Sequence, residues 1–217
     1  MTFLKRLYSF INFFGLDPLR AVQNLSGLGW FWRDYRAYKR LETTNPLFPI
    51  TRFYLTLGDR KDSSGNAKGH YFHQDLLVAQ RVFANAPHKH VDIGSRIDGF
   101  IAHVAAFRKV EVFDIRPLTD TIDNVQFTQA DLMRVDEHLH HYTDSLSCLH
   151  TIEHFGLGRY GDPLDPAGYL KGLESLKHLL RPGGLFYFST PIGPQRIEFN
   201  AHRVFSVAYL LELFKSD

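Results

Sequence analysis

The amino-acid sequence predicts an α/β fold in which helices cover both faces of a parallel β-sheet. Short apolar runs alternate five times with helix-like patterns from about residue 70 onwards, which is typical of such a sheet. In the stretch 90–100, a buried strand containing Val91 and Ile93 ends at Gly94 and leads directly into a helix that starts at Ile97. Because crossovers between parallel strands have one preferred hand, we expect a doubly wound sheet of strand order 3-2-1-4-5. The strand before Gly94 is then central.

Each predicted element is defined by its apolar pattern and by the residues that break it. The predicted strands span residues 91–93, 110–113, 125–127, 145–149 and 185–189, and a further short strand is predicted over 50–57. The predicted helices span residues 70–85, 97–107, 165–180 and 206–215. A proline and two glycines at 182–184 separate a helix from the strand that follows it.

Residues 1–57 are predicted to form a helical extension that precedes an α/β domain of residues 58–217. Apolar residues recur near the start at steps of three and four, which predicts an amphipathic helix. These residues are Phe3, Leu7, Phe10, Ile11 and Phe14. A second helix is predicted over 30–41.

The N-terminal apolar stretch has several readings. It is shorter than the roughly 20 residues of a membrane span, and a turn at 15–18 stands where a signal peptide would have its cleavage site. We therefore expect the extension either to pack on its own domain or on a protein partner, or to attach the chain peripherally to a membrane.

The composition disfavours several classes of function. A net charge of +2 over 217 residues gives no strong attraction to nucleic acid, and we expect no such partner. The single cysteine, Cys148, excludes an internal disulfide and is typical of a reducing compartment, here the cytoplasm. Histidines 138, 140 and 141 lack a cysteine or carboxylate spaced to complete a metal site, so no metal is predicted.

The ends of the first two predicted strands indicate a nucleoside-cofactor site. A strand–glycine–helix junction presents free backbone N–H groups and a positive helix end, which suit an anionic or polar cofactor. Asp114 closes the second strand, 22 residues after Asp92, where doubly wound folds hold ribose hydroxyls. The G-x-G-x-x-G pattern of nicotinamide-dependent dehydrogenases is absent from the turn, which disfavours that class.

These segments together resemble the class I S-adenosylmethionine-dependent methyltransferases, whose fold is Rossmann-like. The segments concerned are Asp92-Ile-Gly94, Asp114, Ala130-Asp131, the stretch 144–154 and Leu180-Arg-Pro-Gly-Gly184. The resemblance implies S-adenosylmethionine as the cofactor, with Gly94 against its methionine part and Asp92 holding its ammonium group directly or through water. It also implies that Asp114 binds the ribose, that Asp131 binds the adenine amino group and that Leu132 stacks on the adenine ring.

More closely, the chain resembles a domain-of-unknown-function family within that superfamily, over about residues 58–206. The shared segments are His70-Tyr-Phe-His-Gln-Asp75, the stretches 91–100 and 153–162, Asp114-Ile-Arg-Pro117, Pro191-Ile-Gly193 and Phe199-Asn-Ala-His-Arg203. The chain departs from the superfamily where Arg96 and Asp98 replace glycines and where two final strands are not found. Either the gene product is truncated, or a partner (a homo-oligomer among them) or the N-terminal extension covers the apolar edge of the fifth strand.

His150, Glu153 and His154 follow the fourth predicted strand, at the edge where ligands bind in such sheets. Because histidine titrates near neutral pH, His154, or failing that His150, is the predicted general base for a hydroxyl-bearing small-molecule or saccharide acceptor. The alternative role of His154 is to orient the loop. The residues also match the H-x-x-E-H zinc-protease pattern, but Gly156 breaks the helix that this mechanism needs. A non-catalytic cofactor-binding or interaction module of the same fold is the second interpretation.

Overall fold

The computed structural model describes residues 3–42, 47–65, 67–134 and 137–215. The chain divides into two compact units, Met1–Asn66 and Ala67–Asp217. The first unit contains helices α1 (Phe3–Phe13) and α2 (Pro18–Leu41) and a 3-10 turn at Asp59–Lys61. The domain boundary predicted after residue 57 stays a prediction.

Helix α2 begins well before the helix predicted over residues 30–41. The side chain of Asp17 accepts a hydrogen bond from the backbone N–H of Arg20 at 3.0 Å and so caps the helix. Pro18 occupies the first turn, where its missing N–H leaves no hydrogen bond unmade. The turn predicted at residues 15–18 thus leads directly into α2, with Gly15 in the left-handed region at a φ of 78°.

The strand predicted over residues 50–57 is wrong, because this segment has no regular structure. Its side chains pack on α2 instead. The ring of Phe53 lies edge-on to that of Tyr35, with the centroids 5.0 Å apart. A Cβ added to Gly27 of α2 would lie 2.8 Å from the Cβ of Leu57, so the segment touches the helix backbone. The apolar segment 50–57 thus packs against a helix and does not pair with a neighbouring strand.

The second unit contains the α/β domain. Its strands are β1 (His90–Ile93), β2 (Val110–Asp114), β3 (Val125–Gln129), β4 (Thr143–Leu149), β5 (Leu180–Ser189), β6 (Arg196–Glu198) and β7 (His202–Val204). Its helices are α3 (His70–Asn85), α4 (Ala102–Ala105), α5 (Gly168–Leu179) and α6 (Val207–Leu213). A wide π-helical turn, Ile97–Ile101, leads directly into α4.

Strands β1 to β5 form one parallel sheet of order β3-β2-β1-β4-β5, which confirms the predicted topology. Asp92 of the central strand lies opposite Val112 of β2 on one side and Ser147 of β4 on the other. All four residues of β1 are buried. The carboxyl ends of β1, β2 and β4 therefore meet at one edge of the sheet, where ligands bind in folds of this type.

Separate hydrophobic clusters cover the two faces of the sheet. The cluster that includes α5 contains Val91, Ile93, Leu146, Leu173, Leu176 and Leu179. The cluster that includes α3 and α4 contains Ala79, Val82, Phe100, Val104, Val110 and Val112. Side chains on both faces of β1 and β2 are therefore shielded from water. This explains why the sequences of these strands are continuous apolar runs.

The C-terminal elements differ in detail from the prediction. β5 begins at Leu180, opposite Thr143, and a register shift precedes the pairing of Leu185 with Ser145. β6 and β7 form an antiparallel sheet of their own, so β5 is an edge of the main sheet in the described part of the chain. After α6, the ring of Phe214 lies 5.2 Å from that of Phe188 of β5.

Candidate cofactor and active site

A cleft opens where the carboxyl ends of the central strands meet. Six of the predicted site residues line it: Gly94, Asp114, Asp131, Leu132, His150 and His154. The other two, Asp92 and Glu153, lie buried beneath it. Arg116 and Tyr160 also line the cleft.

Gly94 connects β1 to the π-helical turn in a conformation that excludes other residues. Its φ of 69° lies in the left-handed region, and a Cβ there would come within 2.5 Å of Cγ2 of Thr151. The Gly94 N–H donates to the carbonyl O of Phe113 at 2.9 Å and ties the turn to the end of β2. Bare backbone therefore faces the cleft at this point.

Asp92 is fully buried, and its carboxylate holds the turn after β1 through hydrogen bonds. Its Oδ1 accepts a hydrogen bond from the N–H of Ser95 at 2.9 Å, and its Oδ2 accepts from the hydroxyls of Ser95 at 2.8 Å and Ser147 at 2.5 Å. Burial raises the pKa of Asp92 to about 6, although the hydrogen bonds act in the opposite direction. The contact of Asp92 with a cofactor ammonium group stays a prediction.

Asp114 ends β2 and is engaged by Arg116. The N–H and Nε of Arg116 donate to Oδ1 of Asp114 at 2.8 and 3.0 Å, and its Nη2 donates to Oδ2 at 2.5 Å. The same guanidinium lies 4.5 Å from the centroid of the Tyr160 ring. A ligand that hydrogen-bonds to Asp114 must therefore share its carboxylate with Arg116 or displace the guanidinium.

Asp131 and Leu132 follow β3 at the far side of the cleft. Oδ1 of Asp131 accepts a hydrogen bond from the N–H of Met133 at 3.0 Å, which holds the turn. Leu132 is 6% exposed and belongs to the core cluster beside α5. The pair offers a carboxylate next to an apolar surface, which suits a flat ring bearing an amino group.

His150 and His154 converge on the carboxylate of Glu153. Nδ1 of His150 lies 3.2 Å from Oε1 of Glu153, and Nε2 of His154 lies 4.0 Å from the same atom. Oε2 of Glu153 is buried without a hydrogen-bond partner among the described residues. Nδ1 of His154 carries its proton towards the carbonyl O of Ala201, at 2.7 Å. Burial lowers the pKa of His154, which keeps its ring neutral near pH 7.

The loop after β4 is held by a residue distant in the sequence and by a carboxylate of the loop itself. Arg203, buried in β7, donates from Nη1 to the carbonyl O of Phe155 at 2.5 Å. Oδ2 of Asp162 accepts from the N–H groups of Gly156 at 2.8 Å and Gly158 at 3.2 Å. These contacts fix the backbone that carries both histidines, although no role was predicted for Arg203 from the sequence. The segments 199–203 and 153–162, quoted above for the resemblance, were the signal.

Aromatic side chains from the start of α3 border His150. Its ring centroid lies 5.0 Å from that of His70 and 4.9 Å from that of Tyr71. His150 itself adopts a φ of 52°, in the left-handed region, at the point where β4 ends. The start of α3 therefore lies beside His150, one of the predicted catalytic residues.

In the described ranges, no group of three or more His, Cys, Asp or Glu side chains has an arrangement that could hold a metal ion. The ring centroids of His140 and His141 lie 3.6 Å apart with the ring planes tilted by 35°, and the His140 ring also lies 4.5 Å from that of His178.

Comparison with known proteins identifies a family and a fold. The family model for Caenorhabditis protein of unknown function, DUF268, matches residues 101–216, more than half of the chain. Among solved structures, the chain is similar to the Burkholderia thailandensis 1,6-didemethyltoxoflavin-N1-methyltransferase, a crystal structure with bound 1,6-didemethyltoxoflavin and S-adenosylhomocysteine. The identity is 19%, 67% of each chain is covered, and the TM-score is 0.50, so the similarity shows a shared methyltransferase-like fold. No curated protein matches the chain.

Proposed function

The chain belongs to the family of Caenorhabditis proteins of unknown function, DUF268, and from this premise and the geometry of the cleft we propose that it is an S-adenosylmethionine-dependent methyltransferase. The proposed acceptor is a hydroxyl-bearing small molecule or saccharide. The observation that carries the proposal is the convergence, in one cleft, of a glycine turn, an acid that ends β2 and two histidines that follow β4. The Burkholderia protein of similar fold binds S-adenosylhomocysteine, which supports this cofactor class.

The lining residues fit the chemical groups of that cofactor. Gly94 leaves room for the methionine part against the backbone, and the helix start beyond it favours a carboxylate. Asp114 accepts hydrogen bonds from ribose hydroxyls once the Arg116 guanidinium has released one or both oxygens of the Asp114 carboxylate. Asp131 and Leu132 hold the adenine by a hydrogen bond and by apolar contact. The bound cofactor would supply a methyl group on a sulfonium.

For the acceptor, the geometry favours His150 as the general base and Glu153 as its orienting carboxylate. Because Nδ1 of His150 donates to Glu153, Nε2 remains free to take a proton from an acceptor hydroxyl. His154 has its Nδ1 proton committed to a backbone carbonyl, and its Nε2 faces the same carboxylate. We propose that His154 holds Glu153 and the loop in place, with a direct role as base as the second possibility.

Calorimetric titration of the full chain with S-adenosylmethionine tests the cofactor assignment. We expect Asp114→Ala to weaken binding by roughly 1–3 kcal/mol, because the ribose loses a charged acceptor. Asp123→Ala, an exposed change before β3 at the other end of the sheet, should leave binding unchanged. Absence of wild-type binding at millimolar cofactor, or tighter binding of NAD, would contradict the proposal.

Transfer of a labelled methyl group from S-adenosylmethionine to a panel of mono- and disaccharides tests the chemistry. A general base contributes about 10²–10⁴ in rate, so His150→Ala should lower turnover by that factor with cofactor affinity nearly unchanged. His88→Ala, an exposed histidine before β1, is the matched control. A His150→Ala enzyme with wild-type turnover would remove the proposed role.

A non-catalytic cofactor-binding module is the second candidate. It is favoured by one observation, that both oxygens of Asp114 accept hydrogen bonds from Arg116. A chain that binds S-adenosylmethionine but transfers no methyl group to any hydroxyl in the panel would support this candidate.

A further inference from the structure

Residues 3–22 expose many large apolar side chains. On α1, Phe3 is 79% exposed, Phe10 62% and Phe13 82%, and Phe14 directly after it is 64% exposed. The rings of Phe10 and Phe14 touch edge-on, with centroids 5.1 Å apart. The surface continues over the turn into α2 with exposed residues Leu16, Leu19 and Val22. So many large apolar side chains exposed on one short segment mark an interaction site rather than ordinary surface.

The apolar residues of α1 share one side of the helix. Because successive residues of a helix are rotated by about 100°, Phe3, Leu7 and Phe10 fall along one stripe, and Lys5 falls on the opposite side. Arg6 borders the stripe, and no acidic residue lies in the helix. A helix with this distribution has the properties of one that lies in the plane of a membrane interface.

The charge of the chain is divided unequally between its two units. Residues 1–66 contain 10 Lys and Arg against 5 Asp and Glu, a net charge of +5, whereas residues 67–217 contain 15 against 18, a net charge of −3. Within the described ranges, Lys5 and Arg6 form no ion pair. Asp17, the nearest acid, is engaged by the hydroxyl of Tyr8 at 3.1 Å and by the N–H of Arg20. The apolar surface is thus accompanied by unneutralised positive charge.

We propose that residues 3–22 bind the surface of a membrane containing anionic phospholipid. α1 lies parallel to the membrane with its phenylalanines among the upper acyl chains, and Lys5 and Arg6 extend to the phosphate and carboxylate groups of the lipids. None of the described helices is long and apolar enough to cross a bilayer. An apolar groove on a protein would match the phenylalanines but would leave the excess positive charge without a complement.

Flotation of the full chain with lipid vesicles tests the proposal. At an ionic strength of about 0.15 M, the protein should float with vesicles of phosphatidylcholine containing about one-third phosphatidylserine and much less with phosphatidylcholine alone. Lys5→Glu with Arg6→Glu should lower binding at least roughly 30-fold, because each basic residue near an anionic surface contributes about 1 kcal/mol. Arg81→Glu with Lys109→Glu makes the same change in net charge in the other unit and should have no effect.

The apolar contribution is tested separately. Phe10→Ala with Phe13→Ala should abolish flotation, whereas Leu170→Ala with Leu211→Ala, which shortens two exposed leucines of α5 and α6, should not. Circular dichroism of each variant checks that its helix content equals that of the wild type. The membrane assay is independent of the proposed methyl transfer, since it needs neither cofactor nor acceptor.

Three results would overturn the proposal. The first is the absence of flotation with anionic vesicles. The second is binding that is equal on phosphatidylcholine alone and insensitive to Lys5→Glu with Arg6→Glu. The third is a wild-type protein that does not bind vesicles and forms a dimer in solution, which Phe10→Ala with Phe13→Ala dissociates. That result would identify the apolar surface as an interface between copies of this chain.

Discussion

Replacing Asp92 by asparagine is expected to change how the free energy of unfolding depends on pH. The carboxyl group is fully buried between β1 and β4, and three hydrogen bonds from Ser95 and Ser147 reach its oxygens. Burial nevertheless dominates and raises its pKa from 3.8 to about 6. Asparagine has nearly the same shape without the charge, and the serine hydroxyls can rotate to accept from its amide.

The magnitude follows from the two pKa values. A carboxyl group whose pKa is higher in the folded protein binds its proton more tightly there than in the unfolded chain. The stability that it contributes is fully present below pH 3.8 and is lost as the pH rises through about 6. Between pH values of about 4.5 and 7.5 the loss is roughly 2 kcal/mol. Asp92→Asn does not titrate, so it should gain about this amount relative to the wild type over that interval.

Urea denaturation of both proteins at the two pH values measures the effect, because the difference of differences cancels every group other than Asp92. Asp144→Asn is the matched control. Although burial raises the pKa of Asp144, hydrogen bonds from the N–H groups of Lys89 and His88 lower it overall, so this variant should show no gain at higher pH. An Asp92→Asn effect that is the same at both pH values would refute the reasoning.

Three further outcomes are expected. Gly183→Ala should cost about 1–2 kcal/mol for the left-handed conformation alone, because its Cβ would meet no neighbouring atom within 4 Å. Gly94→Ala should cost about 1–3 kcal/mol more, because its Cβ would clash with Thr151, and thermal unfolding of both variants measures the difference. Arg203→Met should lower the free energy of unfolding by roughly 2–4 kcal/mol, because buried carbonyls lose a charged donor; denaturation that leaves the midpoint unchanged would contradict this. Burial raises the pKa of the Cys148 thiol well above its usual value, so a thiol reagent at pH 8 should label it only in denaturant.

The topology of the sheet could be predicted from the sequence because its determinants are local. Continuous apolar runs such as 110–113, and the glycine turn after Ile93, each specify a buried strand or a junction without reference to distant residues. The handedness of the crossovers then leaves few arrangements of five strands. Helix α3 was predicted with its observed bounds, since Gly69 and the apolar stripe of the helix define them.

The interior of the site could not be predicted in the same way, because its contacts join residues far apart in sequence. Nothing in the pattern around residue 150 indicates that Arg203 holds the loop through the carbonyl of Phe155, 48 residues away. The ion pair of Arg116 with Asp114 is local, yet its importance depends on Tyr160, which brings the guanidinium over the cleft. The prediction for the apolar segment 50–57 was wrong because its apolar side chains can pack on a helix, here α2, as well as on a sheet. The sequence pattern does not distinguish the two cases.

The left-handed backbone of His150 sets stability and activity against each other at one position. A residue with a Cβ in this conformation costs roughly 1–2 kcal/mol relative to glycine. A population of variants sorted only for folded protein should therefore enrich glycine at this position, since it relieves the backbone and leaves β4 intact. A population sorted for methyl transfer should retain histidine, because only the imidazole meets Glu153. Opposite preferences in the two selections would mark His150 as a residue kept for chemistry at the expense of the fold.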